Sequence, residues 1–363
     1  MSSFLISELE NLSKENLKII LDITDEKLLN DVSNFILSKK DKDAVKFLIE
    51  NDKISKSLSF NLFKFIVNNE FWDMFLNLDY NKFDVHASND YALRHSSQYG
   101  QIEVVKFLIE KGANIHAIDD HALIWSSQYG HIEVVKFLVE KGANIHADVD
   151  FALRLSSQNG HIEVVKFLIE NGADIHADDN LALKWSSCNV HIEIVKLLIE
   201  NGANIHADND CALRWSSRNE HIEVVKFLIE NGANIHTDDD YAFRMSVFNG
   251  NIEIVKYLIE NGANIHARDE FALTWSSGNG HIDVVKLLVK KGANIHANDD
   301  HELRMSNIYG HIEIVNFLIE NGADVNVLRM PIFYKYVQIV KFLFGVVLFT
   351  LLMIVFLKKL VNL

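Results

Sequence analysis

Along residues 132–140 the apolar side chains Ile132, Val135, Leu138 and Val139 recur at i, i+3, i+6 and i+7, which places them on one side of a helix. Glu133, Lys136 and Glu140 occupy the opposite side, with Lys136 and Glu140 spaced i, i+4 for an ion pair of a few tenths of a kcal/mol. Gly142 follows, where a left-handed C-terminal cap needs a residue without a Cβ. The stretch from Ala143 to Ala147 then reads as a short extended piece leading to an acidic turn. Asp150 stands before Phe151, Ala152 and Leu153, where its carboxylate is expected to cap the free N–H groups of a new helix. That helix carries Leu153, Leu155 and the small pair Ser156 and Ser157.

The same text returns every thirty residues. Gly112, Gly142, Gly172, Gly202, Gly232, Gly262, Gly292 and Gly322 share one phase, and segments opening at Gln101, His131, His161, His191, His221, Asn251, His281 and His311 share another. A unit of this length buries its apolar face only against its neighbours. The expected fold is therefore an all-α solenoid of stacked helix pairs joined by short hairpin turns, with function along a surface. Two worn copies precede the regular ones, with FWDMFLNLDYNKFDVHA from Phe71 and DKDAVKFLIEND from Asp41 in register. NLFKFIVNNE from Asn61 and DVSNFILSKK from Asp31 match the other helix. The chain thus divides into an N-terminal cap segment (1–30), degenerate repeats (31–80), regular repeats (81–326) and a hydrophobic C-terminal segment (327–363), with ten helix pairs in all.

The pattern resembles the ankyrin repeat, a hairpin turn followed by two antiparallel helices. Gly130 and His131 before IEVVKFLVEKGANI match that family's second helix closely. The first half departs, with Asp120, His121, Ala122, Leu123 and Ile124 where the family has a Thr-Pro-Leu-His stretch, and the unit is about three residues shorter than the usual 33. Ser126 and Ser127 replace two small residues, usually alanines. The Asn-, Ile- and Lys-rich composition and the ALRWSS text are most similar to ankyrin proteins of large amoeba-infecting DNA viruses. The resemblance implies an interaction scaffold whose hairpin tips and first helices form a concave partner-binding surface.

Positions that vary between units are where a partner would be read. The residue after the expected cap runs Tyr91, His121, Phe151, Leu181, Cys211, Tyr241, Phe271 and His301, and the third residue beyond runs Arg94, Ile124, Arg154, Lys184, Arg214, Arg244, Thr274 and Arg304. Aromatic and Arg side chains are enriched at interface hot spots. The candidate contact residues are accordingly Tyr91, Arg94, His121, Phe151, Arg154, Lys184, Arg214, Tyr241, Arg244, Phe271, His301 and Arg304. A second reading has the aromatics filling gaps between units and the Arg side chains pairing with the acidic tips. The column of His95, Trp125, Leu155, Trp185, Trp215, Met245, Trp275 and Met305 reads as core.

Charge narrows the partner. The net charge of −15 opposes nucleic-acid binding and favours a protein with a basic patch. Two Cys in different repeat positions imply no disulfide framework. The 17 His fall mostly in two columns, one through His116 and His146 and one through His131 and His161. Units stacked about 10 Å apart cannot share a metal within one column. The rings are expected to tie neighbouring units together and, if buried neutral, to weaken the fold below about pH 6. The acidic tips lack the Gly and terminal Glu of a calcium loop and read as caps. No phosphate-binding loop, dinucleotide fingerprint or nucleophile elbow is present. Ser126, His131 and Asp120 recur in every unit as structural sets do, so catalysis, cofactors and small-molecule substrates are not expected.

Both ends break the pattern. FLFGVVLFTLLMIVFL from Phe342 has no charge and is followed by Lys358 and Lys359. Its sixteen residues make about 24 Å of helix, and extension to 337–357 reaches a bilayer span of about 30 Å. A single-pass tail anchor with the repeats in the cytosol is expected, although YVQIVKFLF from Tyr336 also imitates a decayed repeat. At the other end LSKENLKIIL from Leu12, with Leu28, Leu29, Val32 and Ser33, resembles the start of an F-box with Ser13 in place of Pro. It implies an alternative role as a ubiquitin-ligase substrate adaptor, against the simpler reading of an N-terminal cap.

Overall fold

The computed structural model describes residues 84–329 and, before them, 31, 34–36, 39, 41–50 and 65–66. Two compact units, Met1–Ala203 and Asn204–Leu363, make up the chain. In the first, α1 (Lys42–Glu50) precedes four pairs: α2 (Ala87–Gln98) with α3 (Ile102–Glu110), α4 (Ala117–Gln128) with α5 (Ile132–Glu140), α6 (Ala147–Asn159) with α7 (Ile162–Glu170), and α8 (Ala177–Cys188) with α9 (Ile192–Glu200). The second has α10 (Ala207–Arg218) with α11 (Ile222–Glu230), α12 (Thr237–Asn249) with α13 (Ile252–Glu260), α14 (Ala267–Asn279) with α15 (Ile282–Lys290), α16 (His301–Tyr309) with α17 (Ile312–Glu320), and a 3-10 helix, Val325–Arg329. Within each unit like helices stack on like. The described residues contain no strand, and the expected extended piece is a turn.

The second helices bury Val134, Val135 and Leu138 and their equivalents, leaving Ile132, Phe137 and Val139 half-buried. Val134, outside the stripe read from sequence, is thus part of the core. Each of these helices ends as its sequence demands. In α3 the Gly112 N–H reaches the Ile109 carbonyl at 3.0 Å and the Ala113 N–H reaches Leu108 at 3.0 Å. This double closure needs the left-handed residue that glycine supplies at φ +92°.

The acidic tips are not helix caps. Ser88–Asp90, Ile118–Asp120, Asp148–Asp150 and their counterparts each form one turn of left-handed backbone, with φ between 47° and 59°. Asp and Asn tolerate this conformation best, and for other L-residues it costs about 1–2 kcal/mol each, which accounts for the Asp/Asn composition of the tips. The third residue of each tip, an acid everywhere but at Asn180, turns inward. Asp120 is buried, takes the His116 Nδ1–H at 3.1 Å, and accepts the Asn144 N–H of the next repeat at 2.8 Å. Asp150 does the same with His146 and Asp174, so the capping expectation for Asp150 is corrected. A buried acceptor satisfies the next hairpin's backbone instead.

The two His columns do different work. His116 and its equivalents are exposed and bond the third residue of their own tip, a carboxylate except where His176 meets the Asn180 amide oxygen, so the premise of buried neutral rings does not hold for this column. His131, His161, His191, His281 and His311 bridge repeats, each donating Nε2–H to a carbonyl 33 residues earlier at 2.8–2.9 Å. A glycine 31 residues earlier accommodates each of these five rings. A Cβ on Gly130 would lie 2.5 Å from Nδ1 of His161. Glu220 and Val190 both replace this glycine, and the residue 31 positions later is Asn251 after the first but still His221 after the second.

The two terminal expectations fall outside these residues. Neither the apolar segment 337–357 nor the F-box-like segment from Leu12 is among them, and of the degenerate repeats only α1 and fragments are. Among the described residues no helix is long and apolar enough to cross a membrane.

Candidate interaction surface

The first helices and their tips present the variable columns. In the first unit the Arg94 side chain lies along α2 and folds back onto its own tip, donating Nε–H to the Asn89 carbonyl at 2.9 Å and Nη2–H to Ser88 at 3.0 Å. A guanidinium matches two adjacent carbonyls because its donors are fixed in a planar fork. Arg154 uses Nη2 on the Asp148 carbonyl and Nη1 on the Asp178 carboxylate at 2.8 Å. Lys184, without the fork, pairs with the Asp179 side chain at 3.1 Å. Arg94 and Arg154 are buried, and burial lowers the Arg94 pKa from its usual value.

The second unit repeats the device. Arg214 reaches the Asn209 and Asp208 carbonyls, Arg244 those of Asp239 and Asp238, and Arg304 those of Asp299 and Asn298. Burial, with Arg268 close by, lowers the Arg244 pKa. The aromatics cover these cations: Arg154 sits 4.7 Å over Phe151, and Arg244 lies between Tyr241 at 5.6 Å and Phe271 at 5.3 Å. Burial raises the Tyr241 pKa against the opposing pull of nearby Arg218, Arg214 and Arg244. In the first unit Tyr91 stacks on His95 at 3.9 Å between ring centres.

Of the twelve sequence-chosen contact residues, the Arg side chains therefore serve the tips in every repeat that has one. Tyr91, His121, Phe151, Tyr241, Phe271 and His301 are half-buried rings beside them. The column read as core is mixed, since Leu155, Met245 and Met305 are buried while His95, Trp125, Trp185, Trp215 and Trp275 keep an exposed edge.

Two residues that the column reading passed over stand out on this surface. Ile118 and Val149 are β-branched, occupy left-handed tip positions at φ 50° and 57°, and are 43% and 57% exposed. The signal was in the sequence, as two apolar residues within otherwise Asp/Asn-rich tips. Each adjoins a candidate ring, because His121 contacts the Ile118 carbonyl through Nδ1 and Phe151 follows Val149 by two residues. At the Ile118 tip the Arg position is Ile124, fully buried. Among the described residues no three His, Cys, Asp or Glu side chains gather as a metal ion would require.

A family model described as "Ankyrin repeats (3 copies)" matches residues 34–149, 117–179, 153–239 and 243–329. The crystal structure of the human ASB11 ankyrin repeat domain is similar in fold, with a TM-score of 0.50 and 22% identity over 54% of this chain and 96% of that one. No curated protein matches the chain. These likenesses concern the repeat and carry no information on a viral source.

Proposed function

Because the chain belongs to the ankyrin-repeat family, we propose that it is a protein–protein interaction scaffold whose first unit contacts its partner through the tips and first helices around Ile118 and Val149. The observation that carries the site is the left-handed conformation of these two residues at their tips, since Val190, at φ 64° and 52% exposed, takes it only in the turn between α8 and α9. A β-branched side chain is among the least suited to left-handed backbone, and here neither is buried in compensation. A residue that breaks a local rule without a packing gain marks a place where something other than stability decides its identity. His121 and Phe151 extend the apolar contact, and the neighbouring Asp119 and Asp148 favour a partner carrying basic residues around an apolar centre. Tyr91, Tyr241, Phe271 and His301 supply further edges, whereas the Arg column holds the tips in shape.

The test is affinity capture with the full chain, comparing wild type with Ile118→Asn/Val149→Asn. Both substitutions favour the left-handed tip, so binding lost from a protein of equal or higher melting temperature supports the site. Undiminished capture by the double variant overturns it.

The charge-free run 342–357, extended to 337, supports the further proposal of a membrane tether. Its test is alkaline carbonate extraction, in which the full chain stays with the membrane pellet and a chain ending at Asn326 is released.

A further inference from the structure

The joint between α14 and α16 in the second unit departs from its sister joints at three residues. Position 302 is Glu, where the equivalent positions from Ala92 to Ala272 are all Ala, and its side chain is buried at 0% exposure. Position 274 is Thr, which cannot supply the guanidinium that holds the tip elsewhere, and its Oγ1–H donates to Glu302 Oε1 at 3.1 Å. Position 270 is Glu where the other tips have Asp or Asn. Its Oε1 contacts His266, but Oε2 of Glu270 and Oε2 of Glu302 are both buried without a partner among the described residues. In the other joints of this unit the tip acid takes the next hairpin's N–H, as Asp240 does from Asn264 at 3.0 Å. Glu270 leaves that tie unmade.

We propose that Glu302 is the proton-binding residue of a pH-sensitive joint, which keeps the last helix pair, α16 and α17, packed on α14 and α15 when protonated and loosens it when ionised. A carboxylate in this apolar position has two donors, its own backbone N–H and Thr274, against burial and two acids near it. Burial, with the Glu270 and Asp300 charges adding to it, pushes the Glu302 carboxyl up to about 7. The other charged groups around the joint are engaged, as His311 is on the Gly278 carbonyl at 2.9 Å, or exposed, as Asp269, Lys291 and Asp299 are, while His301, next to Glu302 in sequence, is half-buried. On α14, Arg268 pairs with Asp239 at 3.1 Å and His266 with Glu270. On the α16 tip, His296 pairs with Asp300 at 2.8 Å and Arg304 holds the tip carbonyls. Asp283, Lys286 and Lys290 of α15 and Glu313 and Glu320 of α17 are exposed, and the 3-10 helix carries Arg329 as its ionisable residue.

The folded value lies above the ordinary 4.5. The folded state therefore holds a proton that the unfolded state has released, and stability falls as pH rises from about 4.5 through about 7. Hydrogen exchange of the α16 and α17 amides in the full chain, corrected for intrinsic rates, reads this directly. Against Glu302→Ala, the residue of the sister repeats, and Glu302→Gln, wild-type protection should fall by about 20-fold between pH 5.5 and 7.5. A variant-to-wild-type ratio that does not change with pH overturns the proposal, as does an equal change in α6 and α7.

Discussion

The Asp120 carboxylate and the Asn144 backbone N–H, 24 residues apart, meet at 2.8 Å. The same bond joins Asp90 to Asn114, Asp150 to Asp174, Asp210 to Asn234 and Asp240 to Asn264. Because the carboxylate is buried and its acceptor sites also hold the His116 ring, the tip of one repeat sets the hairpin of the next. Asp120→Ala should destabilise the first unit by about 2–3 kcal/mol, the loss of two hydrogen bonds to a charged acceptor. Asp120→Asn should cost less than about 1 kcal/mol, since Asn180 already occupies this place and accepts from His176 at 3.1 Å. Urea unfolding of the two variants checks both values.

Gly130 and His161 are coupled by space. Gly130→Ala places a Cβ at φ +77° against the imidazole of the next repeat, so it should cost more than the roughly 1–2 kcal/mol of left-handed strain alone. In the background of His161→Asn the penalty should shrink toward that strain. A double-mutant cycle measured by thermal unfolding would contradict the contact if the two effects simply add.

His161 also gives acid sensitivity of the opposite sign to Glu302. Its pKa is lowered from 6.5, chiefly by burial, with the Gln128 carbonyl opposing and the neighbouring His131 and His191 adding to the depression. The folded ring resists a proton that the unfolded ring accepts, so stability is present above about 6.5 and declines as pH falls through that value. Melting temperatures of wild type and His161→Asn at pH 7.5 and 5.5 should diverge, with the larger loss on acidification in wild type.

The second serine of each pair is packed without reward. Ser126 donates to the Leu123 carbonyl at 3.0 Å, whereas the Oγ atoms of Ser127, Ser157 and Ser217 are buried with no partner among the described residues. Val247 fills the same place at 0% exposure. Ser157→Ala should leave stability unchanged or raise it by about 1 kcal/mol, read from a denaturant midpoint.

Much of this architecture was legible in the sequence. The thirty-residue phase located both helices of every described pair, Gly112 and its kin marked the helix ends, and the bridging role foreseen for the histidines holds for His131 and His161. The tips were misread because an acid before an apolar run fits an N-cap and a left-handed turn equally well, and only backbone angles separate the two. The Arg column was visible, but its attachment to carbonyls five and six residues back depends on that same turn. Ile118 and Val149 passed unnoticed because the comparison was made along columns of aromatic and cationic residues, where two aliphatic tips do not register.

On the proposed function, a partner seats on the first unit at those two tips. The most direct measurement places a photo-crosslinking amino acid at Val149 and, separately, at the exposed Glu163 on the second helix of the same repeat, in the full chain inside cells. The account predicts a discrete crosslinked protein from position 149 that disappears when Ile118 is changed to Asn, and none from 163. Equal adducts from both positions, or an adduct from 149 indifferent to Ile118→Asn, would contradict it.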